Sequence, residues 1–465
     1  MSPTHKAKRV LSKATGKLAR TLHKFLGMKI GDQEVGRNAK FMEASELNMR
    51  KGMLLIIDES SMIDDTMVDD LMKLAKDFGS KILFIGDDAQ IDPVKNNNKP
   101  SKSLNQENSV TLDKVMRVSN GNPIIDVATA MRKAQDPTLI AKFGNAFMSQ
   151  FTRFNSFNEA GGVIFLGPGS NTTVIDYAIS KWFTSDEAKG NPNYVRYIAY
   201  RNKVVDAVNV RVRDELGYSN IVEVGEIITG NVQYIDTNKS IQNEDEYKVV
   251  SIDSEPYMIT SYAVPGVELP VIDVTIESYS GDSKGGRIRL LIDYSDDMIH
   301  RIQSAMEVRL SEIYAETDYE RRKNLNARMF AATNSDFDTI INIPNPSKSD
   351  SESDNDHYKR KTFGYSYAIT AHKSQGSEFE NVIINDSDIR RYDRGMDGLG
   401  YKKLLYTSIT RAKHKAVVIT DGGRYDMQNK TPIVGESMDA ANFSEFTKES
   451  ALDKIKELGN QSDNC

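Results

Sequence analysis

The sequence predicts an α/β fold interrupted by a block of short β-strands, and three patterns predict it. Two apolar runs, at 53–58 and 81–85, flank a stretch whose apolar residues Met67, Leu71, Leu74, Ala75 and Phe78 recur at helical spacing. Strand, helix, strand is the order of a parallel sheet. A second unit of the same kind starts at VRYIAY, 195–200, and continues through apolar positions 204, 205, 208 and 212. From about residue 224 to 294 the pattern changes to five short runs, EIITG, YKVVSID, YMITSYAV, VIDVTIESY and RIRLLIDY, separated by turns such as SGDSKGG. Those runs suggest a small barrel. The α/β pattern resumes at NVIIND and AVVITD, so the simplest account is an α/β protein with a β insertion.

The remaining segments follow in order. The chain opens with eight Lys or Arg in its first 31 residues and no acid before Asp32, an acid-poor start that a mitochondrial transit peptide also shows. It has no apolar h-region, which excludes a secretory signal. Residues 27–51 are polar, punctuated by Gly27, Gly31 and Gly36, with Phe41 as the main aromatic. They read as a small insertion. The stretch 96–109 is a loop by composition, LDKVMR leads into a helix through Ile124, Val127, Ala128 and Met131, residues 298–332 are a charged helical stretch, and 344–357 is low-complexity and expected to be disordered.

Composition narrows the function. With 465 residues and 39% hydrophobic content the chain can build cores for two to four domains. No apolar stretch approaches the roughly 18–20 residues that cross a bilayer. The single cysteine, Cys465, excludes intramolecular disulfides and thiolate metal clusters, which suits a reducing compartment, and the expectation is cytoplasmic. A net charge of -6 gives the whole molecule no electrostatic reason to bind nucleic acid, so any such surface must be local; the basic N-terminus is one candidate.

Both early apolar runs end in acid. Hydrolysis of a nucleoside triphosphate needs a carboxylate for Mg²⁺, a group that orients water, and cations or N–H groups for the γ-phosphate. Asp58 and Glu59 supply the first two at the end of a strand, where parallel sheets present ligands. An apolar run followed by Asp-Glu also arises by chance or as a helix cap. GDDAQ adds Asp87 and an amide, Gln90, in the turn after a neighbouring strand, and Pro93 follows. Near the other end, AITAHKSQGSEF and LLYTSITRAKH set polar residues, glycine and arginine beside apolar runs. Arg411 reads either as a solvated surface charge or as an arginine finger in cis. His372 and His414 lack the paired spacing of zinc ligands, so no zinc is assigned.

Taken in order, SPTHKAKRV, IIDES, IGDDAQIDPV, VMR, YRNKVVDAVN, AITAHKSQGSEF and LYTSITRAKH resemble the motifs of superfamily 1 DNA helicases of the RecD/Dda branch. The resemblance implies an α/β architecture of two RecA-like domains with parallel sheets and ATP between them. It implies a first domain over 1–135 carrying a β-hairpin pin at 27–51 and a second over 136–223 and 358–430. An SH3-like barrel and helical insertion would span 224–343, with a linker at 344–357 and a tail at 431–465. By the same resemblance Asp58 binds Mg²⁺, Glu59 activates water and Gln90 senses the γ-phosphate. Arg117 and Arg411 face the phosphates, while Asp87, Gly376 and Glu378 belong to the ATP site. Pro3, Thr4, His5, Thr21, His23, Asn202, Thr370 and His372 line a single-strand path, and Phe41 is the strand-splitting aromatic. ATP, Mg²⁺, single-stranded DNA and fork DNA are the implied ligands, replication proteins the implied partners, a bacteriophage the implied kind of source, and 5'-to-3' movement the implied polarity. Since SPTHKAKR then matches a DNA-contacting motif, the basic opening is assigned to backbone phosphates.

The family pattern also places a strand, a G-x-x-x-x-G-K-S/T loop, a helix and a strand before SPTHKAKR, and the 465 residues contain none of them. Ala14-Thr15-Gly16-Lys17 is the nearest match and reads as an ordinary helical lysine. The expectation is a helicase fragment with little ATPase activity alone, its loop supplied by a companion polypeptide or lost from the gene model. The alternatives are a non-catalytic single-strand-binding relative and a metal-dependent nuclease built on Asp58, Glu59 and Asp87.

Overall fold

The computed structural model describes residues 1–26, 49–96, 99–112, 121–133, 156–158, 160–166, 180–235, 239–281, 283–341, 343–344, 359–392 and 399–419. The expected 27–51 insertion, apart from residues 49–51, lies outside them. So do Phe41, Arg117, the 345–357 part of the low-complexity linker and the 431–465 tail.

Two short helices open the chain. Helix α1 (His5–Thr15) is capped by Thr4, whose hydroxyl accepts the Ala7 N–H at 3.2 Å, and it ends on Gly16 in the left-handed region at φ 65°. Lys17 therefore lies just past a helix C-cap and is not helical, and Gly16 is spent on ending the helix. Helix α2 (Leu22–Phe25) buries Leu22 and Phe25.

The first sheet pairs β1 (Leu54–Ile57) with β2 (Lys81–Phe84) in parallel, from Leu54 opposite Lys81 to Ile57 opposite Phe84. Helix α3 (Asp65–Asp77) connects them. Its first turn is fixed by the Asp64 carboxylate, which accepts the Met67 N–H at 3.0 Å. The apolar stripe Val68, Leu71 and Ala75 then packs on Leu55 and Ile57 together with Leu22, Phe25 and Leu26. Alternation along β1 sends Leu54 and Ile56 to the other face, where both are exposed. Met1 also lies along β1: its amino group donates to Ile56 O at 2.6 Å and its carbonyl accepts from Asp58 N at 2.9 Å.

The second sheet has six strands: β3 (Ser156–Asn158), β4 (Gly161–Leu166), β5 (Val195–Ala199), β6 (Ala368–Thr370), β7 (Phe379–Asn385) and β8 (Ala412–Ile419). Their order is β6-β5-β7-β8-β4-β3, parallel throughout except for β3 against β4. Residues of alternate parity build a core on each face, as the two-residue period requires. Val163, Phe165, Ile198, Val382, Ile384, Ala416 and Val418 join one core, where α4 (Pro123–Lys133) and the Leu399–Ile409 helix pack. Ile164, Tyr197, Ala199, Ile383, Val417 and Ile419 join the other, under Trp182, Phe183 and α5 (Asn202–Glu215). Helix α4, grouped with the first domain in the sequence reading, thus buries Ile124, Val127 and Met131 in the core of the second sheet.

Residues Gly217–Ser366 form a separate compact unit. Its antiparallel sheet has eight strands, including Tyr234–Ile235, Lys239–Ile241 and Phe363–Tyr365 beyond the five expected runs. Those three are only two or three residues long, too short to show a period. The expected 298–332 helical stretch is two helices, Asp296–Ala315 and Tyr319–Ser335, with Ser295 and Asp318 as N-caps. An Asp at the second cap explains the break.

Gly161 opens β4 at φ 123°, and a Cβ there would stand 1.9 Å from His414 O and 2.4 Å from Asn122 Nδ2. Asn122 needs that space because its amide donates to Ala160 O at 2.6 Å and His414 O at 3.2 Å. Gly161→Ala is expected to lower stability by about 3 kcal/mol, read from the urea midpoint, since it combines backbone strain with an unrelieved overlap.

Candidate functional site

The carboxyl ends of β1 and β2 meet tightly. Ser60 N donates to Ile85 O and Ile85 N to Ile57 O, both at 2.8 Å. Gly86 allows that approach, because a Cβ would sit 2.8 Å from Ser60 Oγ and 2.9 Å from Ser61 N. Between them Asp58 accepts the Glu59 N–H at 3.0 Å, and Glu59 holds a left-handed backbone at φ 54°. A non-glycine residue there costs about 1–3 kcal/mol, a strain found mostly at ligand-binding turns. Ser60 Oγ, Ser61 Oγ and Gln90 Oε1 are all buried without a hydrogen-bond partner among the described residues. Each such oxygen costs about 1–3 kcal/mol until something donates to it or binds it. Asp58 adds a carboxylate of the kind that a divalent ion with its bound waters takes.

Asp87 is occupied differently. Its Oδ1 accepts from Ala89 N at 3.0 Å and Arg132 Nη1 at 2.8 Å; its Oδ2 accepts from Tyr406 OH at 3.1 Å and more weakly from Gln90 Nε2 at 3.4 Å. Arg132 also reaches Asp88 at 2.7 Å, and Lys403 pairs with Asp92 at 2.6 Å. Burial pushes the Tyr406 hydroxyl up to about 12, helped by the Asp87 charge. Burial raises the Asp92 carboxyl too, against the pull of Lys403. Asp87, expected in the ATP site, therefore also fastens the first strand pair to α4 and to the Leu399–Ile409 helix. Arg132 and Lys403 escaped the motif reading, and Tyr406, inside LYTSITRAKH, was given no role by it. Their partners lie 45, 311 and 319 residues away, a separation no local spacing reveals.

On the second sheet Arg411 is fully buried, which removes the solvated-charge reading. Its Nε donates to Thr407 O at 2.9 Å, Nη1 to Ser377 O at 3.1 Å and Nη2 to Thr410 Oγ1 at 3.3 Å. Glu378 pairs with Lys413 at 3.3 Å. Gly376, at φ 70°, stands against Ala7 of α1, with 3.2 Å from its missing Cβ to the Ala7 methyl. These three come together around the turn before β7.

The AAA domain family model matches residues 1–146, and the UvrD-like helicase C-terminal domain model matches 365–419. The ATP-dependent DNA helicase dda of Enterobacteria phage T4 is 25% identical over 427 residues, 89% of this chain and 85% of that protein. An uncharacterised protein of Acanthamoeba polyphaga mimivirus, R530, is 24% identical over 89% of this chain and 87% of its own length. The ATP-dependent RecD2 DNA helicase of Deinococcus radiodurans is 33% identical over 137 residues, 29% of this chain and 18% of that protein. Together these matches support a superfamily 1 helicase of the Dda and RecD type. ATP-dependent DNA unwinding is the activity of that family, with ATP and a divalent metal as its cofactors. A solved Pif1 helicase from Bacteroides, in complex with ADP-AlF3 and ssDNA, aligns at 15% identity over 90% of this chain and 82% of that one, with a TM-score of 0.44, too loose to carry a residue-level argument.

The helicase's expected strand-path residues divide by what else they do. Thr4 and Thr21 cap α1 and α2, Thr21 accepting the Lys24 N–H at 3.4 Å. Pro3 is half-buried, His5 opens α1, and His23 is exposed on α2. Asn202 opens α5, and the Thr370 hydroxyl accepts the Lys373 N–H at 3.3 Å in the turn that leaves β6. His372 lies in that turn among the rings of Tyr200 and Tyr392, with centroids at 6.1 and 5.4 Å. Burial lowers its imidazole to about 4, so it is uncharged at neutral pH.

That shift has a definite sign. The unfolded imidazole takes a proton below its ordinary value near 6.5, whereas the folded one resists until about 4, so stability present above 6.5 is lost as pH falls toward 4. Urea midpoints at pH 7 and pH 5 are expected to separate wild type from His372→Gln, with wild type losing more, on the order of 1 kcal/mol.

Proposed function

We propose that the Asp58–Glu59 and Gly86–Gln90 turns form the hydrolytic side of the ATP site of this helicase, and that the β5 and β6 exits carry single-stranded and forked DNA. The observations that carry the reading are the meeting of the two strand ends at Ile85–Gly86 and Ser60–Ser61 and, on these two turns, three buried oxygens without a hydrogen-bond partner among the described residues, Ser60 Oγ, Ser61 Oγ and Gln90 Oε1, with the Asp58 carboxylate and the strained Glu59 on the first turn. Asp58 would hold Mg²⁺, which when bound draws charge from the terminal phosphate. Glu59, next along the chain, is the general base for the attacking water. Gln90 donates from its amide nitrogen to the γ-phosphate, its oxygen being an acceptor for the attacking water, and Arg132 holds Asp87 so that the Gln90 turn keeps its place.

Arg411 is fully buried with Nη1 on Ser377 O, so its arginine-finger role requires the residues that cover it to move. Thr4, Thr21 and Thr370 use their hydroxyl oxygens to cap turns, which leaves the hydroxyl protons for backbone phosphates. Movement 5'-to-3' is the polarity of the branch and is proposed on that ground.

The 465 residues contain no G-x-x-x-x-G-K-S/T sequence to cradle the phosphates, so this polypeptide by itself is expected to hydrolyse little ATP. Fused in frame to a strand-loop-helix-strand segment bearing that loop, it should show DNA-stimulated hydrolysis. Glu59→Gln in the fusion should cut that rate about 10²–10⁴-fold without weakening binding of single strands. A fusion that binds DNA but never hydrolyses ATP would overturn the catalytic reading in favour of a non-catalytic strand binder.

A further inference from the structure

Tyr200 and Arg201 leave the end of β5, and Ala371 and His372 leave the end of the adjacent β6; the Ala371 N–H, donating to Ala199 O at 2.7 Å, locks the two exits together. Tyr392 arrives from a third direction, at the end of the 3-10 turn Arg390–Tyr392 that follows the Asp386–Ile389 helix. The three rings meet pairwise: Tyr200 with Tyr392 at 5.3 Å and 75°, His372 with Tyr392 at 5.4 Å and 61°, Tyr200 with His372 at 6.1 Å and 47°. All three are only partly buried, and exposed Lys373 and Arg391 adjoin His372 and Tyr392 in the chain. Tyr200 and Tyr392 also pack on the core of the six-stranded sheet, so partly exposed rings flanked in the chain by cations stand fixed at the ligand edge of a parallel sheet, as a site for a nucleobase and its phosphate requires.

One carboxylate organises the cluster. Asp388 is almost fully buried, with 2% of its side chain exposed. Its Oδ2 accepts both the Tyr200 and the Arg201 N–H at 2.8 Å, and its Oδ1 accepts Arg201 Nε at 2.5 Å. Asp388 sits four residues before Tyr392, so a single side chain fixes the backbone beneath one tyrosine and belongs to the short helix that delivers the other.

We infer that Tyr200, His372 and Tyr392 form a stacking site for one base of a single-stranded nucleic acid, with Asp388 as its positioning residue. The inference rests on the DNA-strand reading above and adds to it a stacking contact that tolerates any base and a residue that acts without touching DNA. Tyrosine and an uncharged imidazole offer π-faces, and every base has one.

The test uses the full chain and a fluorescein-labelled oligo-dT of about 10 nucleotides, the length order of one binding footprint, beside the same oligomer with abasic residues. Wild type should bind the abasic strand about 10-fold more weakly, the loss expected for one stacked base. Tyr200→Leu and Tyr392→Leu should bring that ratio close to one, while Tyr200→Phe and Tyr392→Phe keep it. Asp388→Asn should lower the same ratio and leave the salt dependence of binding unchanged, because the phosphate contacts persist. Should Asp388→Asn not fold by circular dichroism, Arg201→Gln, which removes one of the three bonds, carries the same expectation at smaller size. Wild type that binds no single strand overturns the strand reading itself. Wild type that binds both strands equally, or Leu variants that keep the full ratio, overturns the stacking site alone. An unchanged ratio in a folded Asp388→Asn or Arg201→Gln variant removes the positioning role.

Discussion

The Asp87 carboxylate is the interaction on which the ligand edge of this helicase depends. Among the described residues the first sheet is the parallel pair β1 and β2. Here its second strand ends in a carboxylate gripped by Arg132 from one helix and Tyr406 from another, both helices belonging to the core of the six-stranded sheet. Ile91, four residues on, enters that same core. The Gln90 turn is thereby held from both ends. Without Arg132 the Asp87 and Asp88 charges would lie side by side with no cation from α4, and the turn would lose its anchor.

How much of this was legible follows from the range of each interaction. The strands at 54–57 and 81–84 and the helix at 65–77 could be read because their signals, apolar runs and a helical period, are local. Asp58, Glu59, Gln90, Gly376 and His372 could be named because family motifs mark them. The left-handed backbone of Glu59 and the Ser60 and Ser61 hydroxyls without partners among the described residues could not, since they arise where two strand ends meet around Gly86. Arg411 was open to two readings, a solvated charge or an arginine finger, and burial removes the first: the end of the Leu399–Ile409 helix offers it a carbonyl that replaces water, and it is buried whole.

A buried guanidinium bonded to backbone oxygens is stable only while those oxygens stay in place. Ser377 O, which holds Nη1, belongs to the short turn from Thr370 to Phe379, the segment that carries His372 at its start and Glu378 at its end. Gly376 in the same turn lies close against Ala7 of α1, where a Cβ would stand 3.2 Å from the Ala7 methyl. A displacement of Ser377 that frees Arg411 also carries the Gly376 contact on α1 and the turn bearing the His372 ring. The residues proposed for the phosphate side and for the strand side thus share one short segment of backbone. In a motor, such a shared turn lets a change at one ligand be felt at the other through a few ångströms of rigid chain, with no separate relay between the two.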